Sequence, residues 1–384
     1  MSEKRVIQTD RLMRPIAHFS HAVRTGDLLH VGAAAGTDDQ RRLAGATPGA
    51  LDPVAQAAAT FDNLETVLQL LDASPDDLCR VKLYVADPRD IAACVDVFER
   101  RYGAIGLRPV LVGSHCFPLP QAALELDAVA LAGSRPATRV VPGAVARGNA
   151  ARCFVVAHAP EAADGAVPAD ASAQTTAMAA ALQSAIEAAG MTIRDIVNLQ
   201  VTIPDLRDLP AVERVLGTVL RAPYPACSLV QAPLGQPALK VQVEATCLAG
   251  GGLPLTAPDC VTALACASPA MLAGDELYIG AQNGIAEGIP AADVEAQTRR
   301  AFARIGALLT AAGMTTDCVL RTNNVLVDWR DYGAFNRGYG ASVTPPYPPR
   351  TTAHGGLADP AARVQIEGSA YRHPGRFVVL DRSV

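Results

Sequence analysis

Apolar side chains recur at helical spacing between residues 55 and 71. Phe61, Leu64, Val67, Leu68 and Leu71 mark one stripe, and the spacing predicts an amphipathic helix with a single core-facing side. VKLYVAD then predicts a strand, IAACVDVFERRYG a second helix, and PVLVGSHCF and AALELDAVAL two further strands. Ahead of the first helix, SHAVRTGDLLHVGAA predicts a hairpin turning at Thr25, Gly26 and Asp27. The element order is β-β-α-β-α-β-β.

The first helix is written three times. AQAAATFDNLETVLQLL begins at Ala55, AQTTAMAAALQSAIEAAG at Ala173 and AQTRRAFARIGALLTAAG at Ala296. Each copy runs on into a β-rich stretch and a D-x-R-D turn, at 87–90, 205–208 and 328–331. A period of about 120 residues is far beyond that of a solenoid repeat, so each copy is a small domain. The domains are expected at 1–132, 141–249 and 259–384, joined by the Gly- and Pro-rich stretches GSRPATRVVPG and AGGGLPLTAP. The second copy is the most degenerate at its front end.

A mixed sheet carrying two helices on one face leaves its other face to be buried elsewhere. Three such α/β (α+β) units, each turning its bare face to the next, would close into a barrel-like pseudo-trimer within one chain. That predicts a particle of single-chain mass, or a pair of such particles. Pockets would fall in the clefts between neighbouring copies.

Composition narrows the function. The chain has 384 residues, is 50% hydrophobic and carries a net charge of −5, so nothing draws it toward nucleic acid. Aromatics make up only 4%, leaving no evident platform for stacking bases. MSEKRVIQTDRLMRP lacks the apolar core of a signal peptide, and no apolar run reaches membrane-spanning length, so a cytoplasmic address without membrane contact is expected. The nine cysteines are scattered and never form C-x-x-C, which fits a reducing compartment and argues against a zinc or redox centre. GAAAG, GAQNG and AGGG lack the strand-to-helix context of a phosphate loop.

PIAHFSHAVRTGDLLHVGAAAGTD, the thrice-written helix, the strand leading to the D-x-R-D turn, YPPRTTAHGG and ALELDAVAL together resemble the YjgF/RidA family. The resemblance implies a chorismate-mutase-like fold, which the family assembles as homotrimers and this chain would reproduce as three tandem domains. It also implies hydrolysis of reactive enamines and imines without metal or organic cofactor, at a site between subunits. There an Arg binds the ligand's carboxylate, an Asn lies on the second helix, and a Glu on the last strand helps to activate water.

Carried over by motif, the Arg position is Leu111, Cys227 and Arg350 in the three copies, and the Asn position is Val95, Glu213 and Asn336. The Glu position is Glu125, Gln242 and Gln365. The family's hairpin Tyr and Ser correspond to Phe19 and Gly32 in the first copy, and to Ala267 and Gly280 in the third. One asymmetric pocket is therefore expected where the third copy, with Arg350 and Asn336, meets the first, with Glu125.

In that pocket Arg350 would hold a small substrate by its carboxylate through two parallel hydrogen bonds. Glu125, its pKa raised by a partly dry cleft, would move protons between water, imine carbon and departing ammonia. Either Glu125 or Asp127, in the alternating run L-E-L-D-A-V-A, could instead face solvent. Cys227 is a candidate nucleophile or a small core residue. His115 and His354 share a repeat position four residues past the Arg position and are candidates for a general base or for hydrogen-bonded interface residues. Two other readings stay open: a chorismatase-like hydrolase or lyase, and a non-catalytic scaffold or sensor that binds a small carboxylate.

Overall fold

The computed structural model describes residues 3–47, 49–290, 292–372 and 377–380. The first domain comprises β1 (Lys4–Ile7), β2 (Ala22–Thr25), β3 (Leu28–Ala34), α1 (Pro53–Leu70), β4 (Leu78–Val85), α2 (Ile91–Tyr102), β5 (Val110–Gly113) and β6 (Leu124–Leu131). The second follows with β7 (Ala137–Val141), β8 (Ala144–Gly148), β9 (Arg152–His158), α3 (Ala171–Ala188), β10 (Ile196–Ile203), α4 (Leu209–Val219), β11 (Ala226–Gln231) and β12 (Gln242–Leu248). The third contains β13 (Leu253–Leu255), β14 (Ala270–Ala273), β15 (Glu276–Asn283), α5 (Val294–Ala311), β16 (Val319–Leu326), α6 (Tyr332–Ser342), β17 (Arg350–His354), β18 (Val364–Tyr371) and β19 (Phe377–Leu380).

The fold is α+β, three tandem domains each built on one mixed sheet. The orders are β19-β1-β2-β3-β6-β4-β5, β11-β10-β12-β9-β8-β7 and β13-β14-β15-β18-β16-β17. Each domain thus opens with one strand more than the sequence pattern predicts. These leading strands are only 4, 5 and 3 residues long, too short for a clear alternation. The third copy, expected to run to 384, gives β19 away: it pairs in parallel with β1 of the first domain.

The repeated phrase has a structural cause. Asp52, Asp170 and Asp293 cap the first helix of each domain by accepting from the amides of Ala55, Ala173 and Ala296. The next residue, Gln56, Gln174 or Gln297, is buried. Each Gln donates to the loop before the last strand, at Gln121, Ala238 and Ala361, and accepts from the amides of Ala123, Lys240 and Arg363. A buried amide satisfied on both sides fixes helix to sheet in every copy. In the D-x-R-D turns, Asp87, Asp205 and Asp328 each accept from the backbone amide and the guanidinium of the Arg two residues on.

The helices cover one face of each sheet, where the three main apolar clusters lie. The opposite faces close a ring, β4 against β9, β11 against β15 and β17 against β3. Backbone bonds cross the junctions, from Gly113 to Pro233 and reciprocally between Gln231 and Gly356. An acid at one repeat position ties each junction to the preceding domain. Asp127 accepts from Thr351, Glu244 from Lys82 and Arg80, and Glu367 from Gln200 and Ser228. Burial alone would raise the Glu244 carboxyl, but the two cations hold it down at about 2. Among the described residues, no helix is long and apolar enough to cross a membrane.

Candidate functional site

Arg350 begins β17, and Pro349 and Arg350 lie directly over Gly32 of β3. A Cβ on Gly32 would stand 3.0 Å from the Arg350 amide nitrogen and 3.0 Å from Pro349 Cβ. The glycine at the family's Ser position therefore permits the close approach of the two domains. The Arg350 side chain is buried against the rings of α6, 4.4 Å from the Tyr339 centroid and 5.2 Å from Phe335, with Phe19 of the first domain at 6.0 Å. One nitrogen, Nη2, donates to Asn336 Oδ1 and more weakly to the Tyr332 hydroxyl at 3.5 Å. The other, Nη1, is buried without a hydrogen-bond partner. No carboxylate pairs with this guanidinium among the described residues, so a buried positive charge is left open to an anion.

The cavity beside Arg350 is shared between domains. Arg350, Thr352 and Tyr332 of the third line it together with Glu125, Phe19, Met13 and Ile16 of the first. Its volume is about 30 Å³. Glu125 is 5% exposed, and burial alone pushes its carboxyl up to about 8. It is therefore mainly a neutral acid at pH 7. Asp127, two residues on and on the same sheet face, is also buried, held by Arg80 at 2.5 Å and Tyr84 at 2.9 Å. Neither carboxyl faces solvent, because this sheet face is the ring's interior and not its surface.

The other named residues fall elsewhere. Asn336, expected to touch substrate, accepts from Arg350 Nη2 and is not among the residues that line the cavity. The His115 and His354 rings stand edge to face, centroids 6.1 Å apart, and neither lines the Arg350 cavity. His354 instead borders a central cavity to which all three domains contribute, with Lys82, Gln200 and Glu367. Burial, and then His115, lower its pKa.

Cys227 is 1% exposed in the apolar core of the second domain, beside Leu264 and Cys266. Burial raises its thiol well above the usual range, with Cys266 and Glu367 adding to the effect. The nucleophile reading finds no support in these surroundings. Tyr332, Met13 and Ile16 were not singled out by sequence reasoning. Tyr332 had a visible signal, since Tyr332, Asn336 and Tyr339 recur at helical spacing on one side of α6.

One variable sorts the three equivalent clefts: the loop between a domain's leading strand and its hairpin. In the first domain residues 8–21 roof the Arg350 cavity. In the third, residues 256–269 bring Leu264 and Cys266 into the same apolar cluster as Cys227, and Glu213, at the Asn336 position of the second domain, accepts from the Ala265 amide at 2.6 Å. In the second domain the loop is only Pro142 and Gly143, and the cleft beneath is open, with a cavity of about 340 Å³.

The model of the family described as Endoribonuclease L-PSP matches residues 9–132, 137–249 and 259–372. The RutC family protein UK114 of Drosophila melanogaster is 29% identical over 136 residues, 34% of this chain and 91% of that protein. A RutC family protein of Pyrococcus abyssi is 27% identical over 128 residues, 33% of this chain and 96% of its own. Among solved structures, that of a chorismatase covers 77% of this chain and 93% of its own at 15% identity and a TM-score of 0.55, a likeness of fold.

Proposed function

This chain belongs to the Endoribonuclease L-PSP family, the YjgF/RidA family that its motifs resemble, and from that premise we propose that it hydrolyses a small 2-imino or enamino acid to the oxo acid and ammonia. The observation that carries the reading is the shared cavity, with a buried guanidinium lacking a counter-ion on one side and a neutral carboxylic acid on the other. A substrate carboxylate supplies the missing anion to Arg350 Nη1, and its C=N group is then turned toward Glu125.

Protonated Glu125 gives its proton to the imine nitrogen, making an electrophilic iminium. The resulting carboxylate takes a proton from water as the hydroxyl adds to the iminium carbon. Glu125 then protonates the amino group, the C–N bond breaks, and ammonia leaves as the carbinol O–H proton returns to the carboxylate. Imine and water are consumed, oxo acid and ammonia are formed, and Glu125 ends protonated as it began. No group beyond these residues and one water enters the proposed steps.

At about 30 Å³ the cavity holds one or two waters, so seating even a short imino acid requires the Met13 and Ile16 side chains that line it to move aside. The cleavage of RNA that the family's description names is not supported by a cavity of this size in a chain of net charge −5. Ammonia release from freshly generated 2-iminopropionate tests the proposal. Arg350→Ala and Glu125→Gln should each lose at least 100-fold in kcat/KM while remaining folded. Variants as fast as wild type would overturn the site, and binding without turnover in the wild type would convert the enzyme into a sensor.

A further inference from the structure

We propose that the open cleft between the first and second domains is a second ligand site, one for an uncharged small molecule that carries an amide-like group on an apolar body. It occupies the same place in the repeat as the Arg350 cavity but offers different chemistry. Leu111 and Val95 stand where Arg350 and Asn336 stand in the third domain, and Gln242 stands where Glu125 stands in the first. A cavity of about 340 Å³ is of small-metabolite size. Among the described residues its lining includes one cation, Arg108, and one acid, Glu99, which are paired with each other. A carboxylate entering here would give up water without gaining a free cation.

The two polar groups on its floor are complementary and adjacent. Gln242 and His158 are direct partners across the β12–β9 ladder, and both line the cavity. Gln242 is 6% exposed, and its Nε2 has no hydrogen-bond partner. A buried donor left in that state is costly, and a ligand carbonyl would satisfy it. His158 Nδ1 lies 2.9 Å from the Ala159 carbonyl, which fixes the proton there in the neutral ring and leaves Nε2 as an acceptor. Side by side, a donor and an acceptor match the C=O and N–H of an amide or lactam. Around them Val145, Val156, Leu111 and Leu239 supply apolar wall for the rest of the molecule.

The test uses benzamide as probe and benzoate as its charged isostere, titrated into the isotopically labelled full chain and followed by NMR. Saturable shifts at residues of this cleft are expected with benzamide, at least fivefold weaker with benzoate. Gln242→Leu should weaken benzamide at least fivefold, and Val145→Trp, at a half-buried strand position, should block it. Thermal melts of both variants report whether they fold. Arg350→Ala should leave benzamide binding unchanged, which keeps this outcome separate from the fate of the imine-hydrolase reading. Absence of saturable binding, equal affinity for benzoate, or binding insensitive to both cleft variants would each overturn the assignment.

Discussion

Arg350 and Glu125 face one cavity from different domains, the guanidinium from β17 of the third and the carboxyl from β6 of the first. Three identical subunits would repeat such a pair three times. In this chain the equivalent positions hold Leu111 with Gln242 at one of the other clefts and Cys227 with Gln365 at the other.

The first prediction concerns pH. With its carboxyl pushed up to about 8, Glu125 carries the proton that the proposed first step requires at neutral pH. In the free enzyme kcat/KM should hold steady from about pH 6 to 7.5 and fall roughly tenfold per pH unit above about 8. Bound substrate neutralises Arg350, so the corresponding limb in kcat should lie higher. A stopped-flow ammonia assay checks both, and a rate that rises through pH 8 would assign Glu125 the opposite role, a base that must ionise first.

The same shift makes a stability prediction with a definite sign. Glu125 holds its proton in the folded chain up to about 8, whereas the unfolded chain releases it near 4.5. Between those values the folded state binds more protons, so the wild type loses stability as pH rises and levels off above 8. Each unit corresponds to about 1.4 kcal/mol, so the full effect is bounded at several kcal/mol. Glu125→Gln removes the term. Its urea midpoint should match wild type near pH 4.5 and exceed it by a growing margin up to pH 8.5.

Much of this arrangement was legible in the sequence, for identifiable reasons. The repeat was visible because each copy reuses the same Asp cap and the same buried Gln, interactions too specific to drift. The meeting of Arg350 with Glu125 followed from motif positions and the expected ring. The roof was not legible, since Met13 and Ile16 sit in an irregular loop with no period to read. Nor was the orientation of Asn336, because whether a helix Asn faces ligand or a neighbouring Arg depends on packing across α6 and β17. The exposure of Glu125 and Asp127 was left open because alternation shows that they share a face, not which face is buried.

Asn336 supports a prediction of its own. It occupies Arg350 Nη2 and so leaves Nη1 as the nitrogen without a partner. Asn336→Leu should therefore weaken carboxylate binding by about five- to tenfold, the worth of one charge-assisted hydrogen bond, and raise KM more than it lowers kcat. Asn336→Asp would tie the guanidinium in an ion pair and cost more. Pyruvate affinity by calorimetry separates the two, and an Asn336→Leu protein that binds pyruvate as wild type does would remove the positioning role.

Cys227 gives the last prediction, since its position in the repeat and its surroundings argue in opposite directions. By position it stands where Arg350 stands, which by the repeat alone would turn it toward a ligand. Its surroundings are the apolar core of the second domain, under Leu264 and Cys266, with Gly280 so close that a Cβ there would come within 2.9 Å of the Cys227 amide nitrogen. A thiolate in that setting is strongly disfavoured, and the thiol proton points to the Ser228 carbonyl at 3.7 Å and to no base. Cys227→Ala should therefore keep kcat/KM within about twofold of wild type and cost on the order of 1 kcal/mol in stability, the effect of a small deletion in a packed core. Iodoacetamide applied to the native chain should modify the half-exposed Cys116 well before Cys227, as read by peptide mass spectrometry. Rapid stoichiometric labelling of Cys227, or a tenfold loss of rate in a folded Cys227→Ala protein, would instead place a working nucleophile in the second cleft and require the 256–269 loop to open.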